Sequence, residues 1–190
     1  PRGQRTMCGI AGFLNLDGRP ADRDRLVDMT RSIRHRGPDG EGFHLDGAVG
    51  LGHRRLSILD LETGAQPMTT PDARAWIVFN GEIYNYVELR DELRGLGHRF
   101  VTSSDSEVAL HAWLEWGEGC LDRFNGMFAF ALLDLERDLL LLARDVAGEK
   151  PLYFTEQAGR FYFASEIKAL LGQIPLPDLM RKLREQQFDR

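Results

Sequence analysis

The chain has 190 residues, 43% of them hydrophobic and 28% charged, the balance of a domain with its own core and not of a disordered chain. Its 29 acidic residues outnumber 24 basic ones for a net charge of −5, which argues against a broad nucleic-acid-binding surface. The longest apolar runs, 127–133 and 139–143, fall far short of the roughly 18 residues a membrane-spanning helix needs.

The first six residues stand ahead of a methionine, so residues 1–7 are set aside as an extension and initiator segment. Residues 8–16 read as a buried strand, apolar at Ile10, Ala11, Phe13 and Leu14, ending in an Asp17-Gly18 turn. Residues 22–36 read as a helix with Leu26, Met29 and Ile33 on one face, stopped by Gly37-Pro38. Strands are expected near 42–45, 48–60 and 75–79, and Asn80-Gly81 after the last of them predicts a type I′ hairpin turn. Asn85 with Glu88 three residues on predicts a capped helix carrying Val87, Leu89, Leu93 and Leu96, closed by Gly95 and Gly97. Ser104-Asp105-Ser106-Glu107 opens another helix. Residues 127–135 and 138–143 form an apolar strand pair turning at Glu136-Arg137, residues 151–155 and 160–164 a second pair, and 165–171 a short helix. Asp178 caps a last stretch with Leu176, Leu179, Met180 and Leu183 on one face, read as a linker helix over 173–190. Strands and helices do not alternate as in a doubly wound parallel sheet, so the class is α+β with antiparallel hairpins.

Cys8 and Cys120 make no disulfide framework, and five scattered histidines supply no metal-ligand spacing. No metal is expected, and without a signal-peptide core the expected compartment is a reducing cytoplasm. Most lone cysteines are small buried hydrophobes, and Cys120 reads that way. Cys8 stands apart because it follows Met7 at the edge of a Gly-Ile-Ala-Gly strand. If Met7 is an initiator that is removed, the Cys8 thiol sits beside its own α-amine. The amine can take the thiol proton, so one residue supplies nucleophile and base. Gly9 leaves room for a substrate at the new terminus.

Five motifs then follow in order: Met7-Cys8-Gly9-Ile10-Ala11-Gly12-Phe13, Arg34-His35-Arg36-Gly37-Pro38-Asp39-Gly40, His53-Arg54-Arg55-Leu56-Ser57-Ile58, Phe79-Asn80-Gly81-Glu82-Ile83-Tyr84-Asn85 and Ser104-Asp105-Ser106-Glu107-Val108. Gly126–Ala131, Ala143-Arg144-Asp145, Lys150–Phe154 and Phe163–Leu170 continue the pattern. Together they resemble the N-terminal glutaminase domain of glutamine-hydrolysing asparagine synthetases, class II glutamine amidotransferases of the N-terminal-nucleophile hydrolase type. The resemblance implies a four-layer αββα sandwich of two antiparallel sheets flanked by helices, over residues 8–172.

By the same resemblance, Cys8 attacks the side-chain amide carbon of L-glutamine, releases ammonia and forms a thioester that water hydrolyses to L-glutamate. Asn80, through its side-chain amide, and Gly81, through its backbone N–H, would hold the oxyanion. Arg55 would fork onto the substrate α-carboxylate, a match of shape as well as charge, with Arg54 its rival for the role. Asp105, assisted by Glu82, would meet the α-ammonium, and main-chain groups of Ile58 and Leu59 would complete the pocket. Each has a plainer reading: a hairpin turn at Asn80-Gly81, a surface arginine, a helix cap at Asp105, a solvated charge at Glu82. His53 reads as structural, since an N-terminal nucleophile needs no separate histidine. His35, Arg36 and Asp39 read as a shaping loop without chemistry.

No Ser-Gly-Gly-x-Asp-Ser pyrophosphate loop, Walker A motif or Gly-x-Gly-x-x-Gly fingerprint occurs in the 190 residues. ATP and magnesium are therefore expected only for an absent synthetase domain, and no cofactor for this chain. The expected partners are L-glutamine and a synthetase domain or subunit that accepts the ammonia. Homo-oligomerisation stays open; neither nucleic acid nor membrane is expected. With Thr6-Met7 attached, Cys8 has a peptide nitrogen in place of an amine, and little glutaminase activity is expected. The alternative is a non-catalytic glutaminase-like module that regulates or binds within a larger amidotransferase. A papain-like protease is set aside, because Cys8 lacks the Cys-Gly-Ser-Cys-Trp surroundings.

Overall fold

The computed structural model describes residues 7–56 and 64–173. In chain order the elements are β1 (Gly9–Asn15), α1 (Arg23–Ser32), β2 (Gly40–Asp46), β3 (Val49–Arg55), β4 (Met68–Thr69), β5 (Ala75–Ile83), α2 (Tyr86–Gly95) and α3 (Asp105–Trp116). A 3₁₀ helix (Gly117–Arg123), β6 (Gly126–Asp134), β7 (Leu139–Arg144), β8 (Tyr153–Gln157), β9 (Arg160–Ala164) and α4 (Ile167–Leu171) complete the described residues. The strands form two antiparallel sheets, ordered β2-β3-β1-β9-β8 and β4-β5-β6-β7. The linker helix expected over 173–190 lies outside the described residues, as does the far end of the strand expected to reach residue 60.

Period-two alternation makes the layers. Ala11 and Phe13 of β1, with Tyr162 and Ala164 of β9, pack on Leu26 and Met29 of α1 and Leu170 of α4. The opposite face of that sheet sends Ile10, Val49, Leu51 and Phe163 against Val78, Ala131 and Leu133 of the second sheet. The outer face of the second sheet sets Ile77, Phe79, Phe128 and Phe130 against Leu89 and Leu93 of α2 and Val108, Leu110 and Trp113 of α3. The result is an αββα sandwich. Each large apolar side chain buried this way contributes about 1.5–3 kcal/mol.

Two expectations are corrected. Asn80-Gly81 is no hairpin turn: β5 runs through it to Ile83, pairing Asn80 with Ala129 and Gly81 with Phe128. Gly81 does not have the positive φ of a type I′ turn. Its lack of a side chain serves a close approach instead, since a Cβ there would sit 2.6 Å from Phe128 Cα. Asn85 occupies the N-cap position of α2 but makes no capping bond with its side chain. Its amide donates to Arg123 O and accepts from Asn125 N, both at 2.9 Å, tying the 3₁₀ helix to the start of α2. The start of α3 follows expectation: Ser104 Oγ accepts from Glu107 N at 3.2 Å, and the Glu107 carboxylate accepts from Val101 N and Thr102 N at 2.7 Å.

Element ends also shift. The helix expected to reach residue 36 ends at Ser32, and the strand expected from 151 begins at Tyr153, consistent with Pro151 having no N–H for a ladder.

His53 bridges the two sheets. It sits on β3, 1% exposed, and its Nε2 donates to Phe79 O of β5 at 3.2 Å. Burial pushes the imidazole down to about 4 from an ordinary value of 6.5. The unfolded chain takes up this proton as pH falls through 6.5 and the folded chain only near 4, so the stabilisation is complete above pH 6.5 and is lost between 6.5 and 4. That window is worth about 3 kcal/mol. Urea unfolding at pH 7 and pH 4.5 should show the midpoint falling, with a flatter slope in His53→Gln. An equal slope in the variant would exclude His53 as the cause.

Candidate active site

Cys8 stands one residue before β1, just outside the Gly9–Arg54 pair. It is half-buried, and its Sγ accepts from Leu56 N at 3.5 Å and lies 4.0 Å from Leu56 O. Its own carbonyl accepts from Arg36 Nε at 3.0 Å. Arg36 in turn pairs with Glu166 at 3.2 Å, and His35 reaches the same carboxylate at 2.8 Å. The 35–39 loop therefore grips the backbone of Cys8. Gly37 permits that approach, since a Cβ there would lie 2.5 Å from the Arg54 carbonyl carbon. Ser165 holds Ile10, two residues on, from both sides, accepting from Ile10 N at 2.9 Å and donating its own N–H to Ile10 O at 2.8 Å.

Alternation along β5 places Asn80 on the face of Val78, which packs between the sheets. Asn80 is 1% exposed, and its Nδ2 is buried with no hydrogen-bond partner among the described residues. The backbone N–H groups of residues 79, 81 and 83 point along one edge of β5 by the same alternation. Phe79 N donates to Gln66 Oε1 at 2.5 Å and Ile83 N to Asp105 Oδ2 at 2.9 Å. Gly81 N lies between those two, beyond the last β4–β5 pairs, Met68–Ile77 and Thr69–Trp76. Burial pushes the Asp105 carboxyl up, Glu82 adds to that, and the N–H groups of Ile83 and Ser106 pull it back.

Arg54 and Arg55 lie on opposite faces of β3. Arg54 lies on the face of Gly50 and Gly52, toward α1, and is ion-paired with Glu41. Arg55 lies on the face of Leu51 and His53, toward the second sheet, and a Cβ at Gly64 would come within 3.1 Å of its Nη2. Ile58 and Leu59 lie outside the described residues. Cys120 is buried in the second sheet's core and its thiol is pushed up to about 12 by burial, as fits a packing residue.

Sequence reasoning missed two residues at this site. Gln66 caps the β5 edge through Phe79 N, and Lys150 places its Nζ 2.9 Å from Met7 Sδ. Asp145 holds the Lys150 loop by accepting from Phe128 N at 3.2 Å, Glu149 N at 2.9 Å and Lys150 N at 3.0 Å. Burial alone would raise this carboxyl, but the N–H donors outweigh burial and hold it below the usual carboxylate range. Among the described residues no three His, Cys, Asp or Glu side chains gather to hold a metal ion, and no helix is long and apolar enough to cross a membrane.

The family profile described as glutamine amidotransferase domain matches residues 7–189. The chain belongs to the glutamine amidotransferase domain family. It is 46% identical over 168 residues to asparagine synthetase [glutamine-hydrolyzing] 1 of Bacillus subtilis, covering 87% of this chain and 27% of that protein. It is 42% identical over 167 residues to asparagine synthetase B [glutamine-hydrolyzing] of Escherichia coli, covering 87% of this chain and 30% of the other. This amidotransferase domain thus spans less than a third of either relative's length. Its fold is shared with glutamine phosphoribosylpyrophosphate amidotransferase from B. subtilis, at TM-score 0.70 and 22% identity over 86% of this chain and 43% of that one. A structure described as the allosteric regulatory enzyme of purine biosynthesis matches at TM-score 0.73 and 21% identity, with the same coverage. The αββα sandwich expected from the motifs is the amidotransferase architecture.

Proposed function

We propose that this domain hydrolyses L-glutamine to L-glutamate and ammonia through a thioester on Cys8. The observation that carries the reading is Asn80 Nδ2, a buried donor without a partner among the described residues, on a strand face turned toward the sheet whose central strand, β1, begins one residue after Cys8. Burying such a donor costs about 1–3 kcal/mol, and an oxyanion that forms only during reaction is the partner that would use it.

In this reading the α-amine of Cys8 takes the proton from Sγ, and the sulfur attacks the amide carbon of glutamine. Asn80 Nδ2 and Gly81 N–H donate to the resulting oxyanion. The protonated amine returns its proton to the departing nitrogen, ammonia leaves and a γ-glutamyl thioester remains. Water, deprotonated by the same amine, releases glutamate. Arg55 binds the substrate α-carboxylate, and Asp105 with Glu82 binds the α-ammonium, helped by main-chain groups of Ile58 and Leu59. The ammonia goes to an ATP-dependent amidating domain of the asparagine synthetase type, and the free thiols suit a reducing, cytoplasmic setting.

A glutamine-analogue chloroketone tests the reading on protein whose chain begins at Cys8. Mass spectrometry should find one adduct, on Cys8, suppressed by L-glutamine. No adduct, or one that glutamine does not suppress, would leave a binding module and overturn the reading.

A further inference from the structure

Lys150 is 6% exposed, and its ammonium is set against a thioether, a weak acceptor. Among the described residues it forms no ion pair within 4.0 Å. The other cation at this point, Arg36, is paired with Glu166 at 3.2 Å. A buried ammonium without a salt bridge is costly, and here the Asp145 cradle fixes the loop that carries it. The charged groups that act on it are Arg36 from the loop after α1, Glu149 beside it, Cys8 just before β1 and Glu82 on β5. Burial and then Arg36 pull the lysine below its ordinary range. Met7, which it touches, is the residue whose removal frees the Cys8 amine.

We propose that Lys150 is a positioning residue whose positive charge faces the freed Cys8 terminus and keeps its α-amine unprotonated, and so able to accept the thiol proton, near neutral pH. This rests on Cys8 acting as an N-terminal nucleophile. A like charge nearby disfavours protonation of an amine. Once Met7 is gone, the ammonium loses its thioether contact and faces the terminus. Arg36 contributes less, because Glu166 offsets its charge.

Alkylation of Cys8 by iodoacetamide reads this out without glutamine, and Cys120, buried with its thiol pushed up to about 12, serves as a silent internal control. Rates would be followed by mass spectrometry from pH 5.5 to 9 on protein beginning at Cys8. In Lys150→Met the pH midpoint of alkylation should rise by about half a unit or more, with a rate roughly three- to tenfold lower at the acid end and unchanged at the alkaline end. Lys150→Arg, which keeps the charge, should restore the midpoint to within about 0.2 units. A Lys150→Met midpoint equal to that of the unsubstituted protein, or a rate lowered equally at every pH, would overturn the proposal. If Lys150→Met does not fold, Lys150→Arg decides alone: its fixed charge must leave the midpoint at or below the unsubstituted value, and a higher one refutes the role. Failure of glutamine hydrolysis would show separately, as absent chloroketone labelling with the alkylation shift intact.

Discussion

Protein whose chain begins at Cys8 is expected to release glutamate from L-glutamine, and protein that keeps Thr6-Met7 in front of it to do so about a thousandfold more slowly. Cys8→Ala should be silent in either form. The difference comes from one nitrogen. A peptide nitrogen is delocalised into its carbonyl and cannot accept the thiol proton, whereas general-base transfer contributes about 100- to 10,000-fold. Among the described residues, neither histidine of the surrounding loops and strands is free to stand in. His53 is buried, donates to Phe79 O and is pushed down to about 4. His35 is tied to Glu166 at 2.8 Å and accepts from Lys168 at 2.9 Å. The extension also occupies space, because the Met7 side chain packs against Lys150. A coupled glutamate assay, with the terminus of each sample read by mass spectrometry, makes the comparison. Equal activity in the extended form would remove the α-amine from the mechanism.

The readings that held depend on local pattern. The i, i+3, i+7 apolar spacing of 26–33 and the cap at Ser104 mark helices because a helix is decided within a few turns of itself. Asn80-Gly81 misled for the same reason. Its turn preference is local, while the strand it occupies is set by pairing with β6, about fifty residues further on. The motif assigns Arg55 by its place directly before Leu56-Ser57-Ile58, but it does not say which face of β3 either arginine occupies. That is known only once Gly50 and Gly52 are seen against α1. Gln66 gave no signal, and Lys150 only its place in the Lys150–Phe154 motif with no role attached, because what marks them is a partner distant in sequence, Phe79 N for one and Met7 for the other.

Asn80→Ala should lower kcat by about 100- to 1,000-fold, the usual cost of one oxyanion donor, with KM changed only a few-fold. Its effect on stability separates a catalytic role from a structural one. A structural asparagine satisfies partners, and its removal strands them. Asn80 Nδ2 satisfies none among the described residues, so truncation removes an unpaired polar group and leaves only a small cavity between the sheets. The two effects oppose each other, and the urea midpoint should stay near that of the unsubstituted protein. Asn80→Asp should lose as much activity and also stability, since it puts a carboxylate into a 1% exposed position facing the apolar contact of Ile10 with Val78. Gly81→Ala is a poorer probe, because its Cβ would collide with the β6 backbone and any lost activity would be confounded with lost fold. If Asn80→Ala instead unfolds readily and hydrolyses glutamine at the full rate, Asn80 is a packing residue and the oxyanion must be held elsewhere.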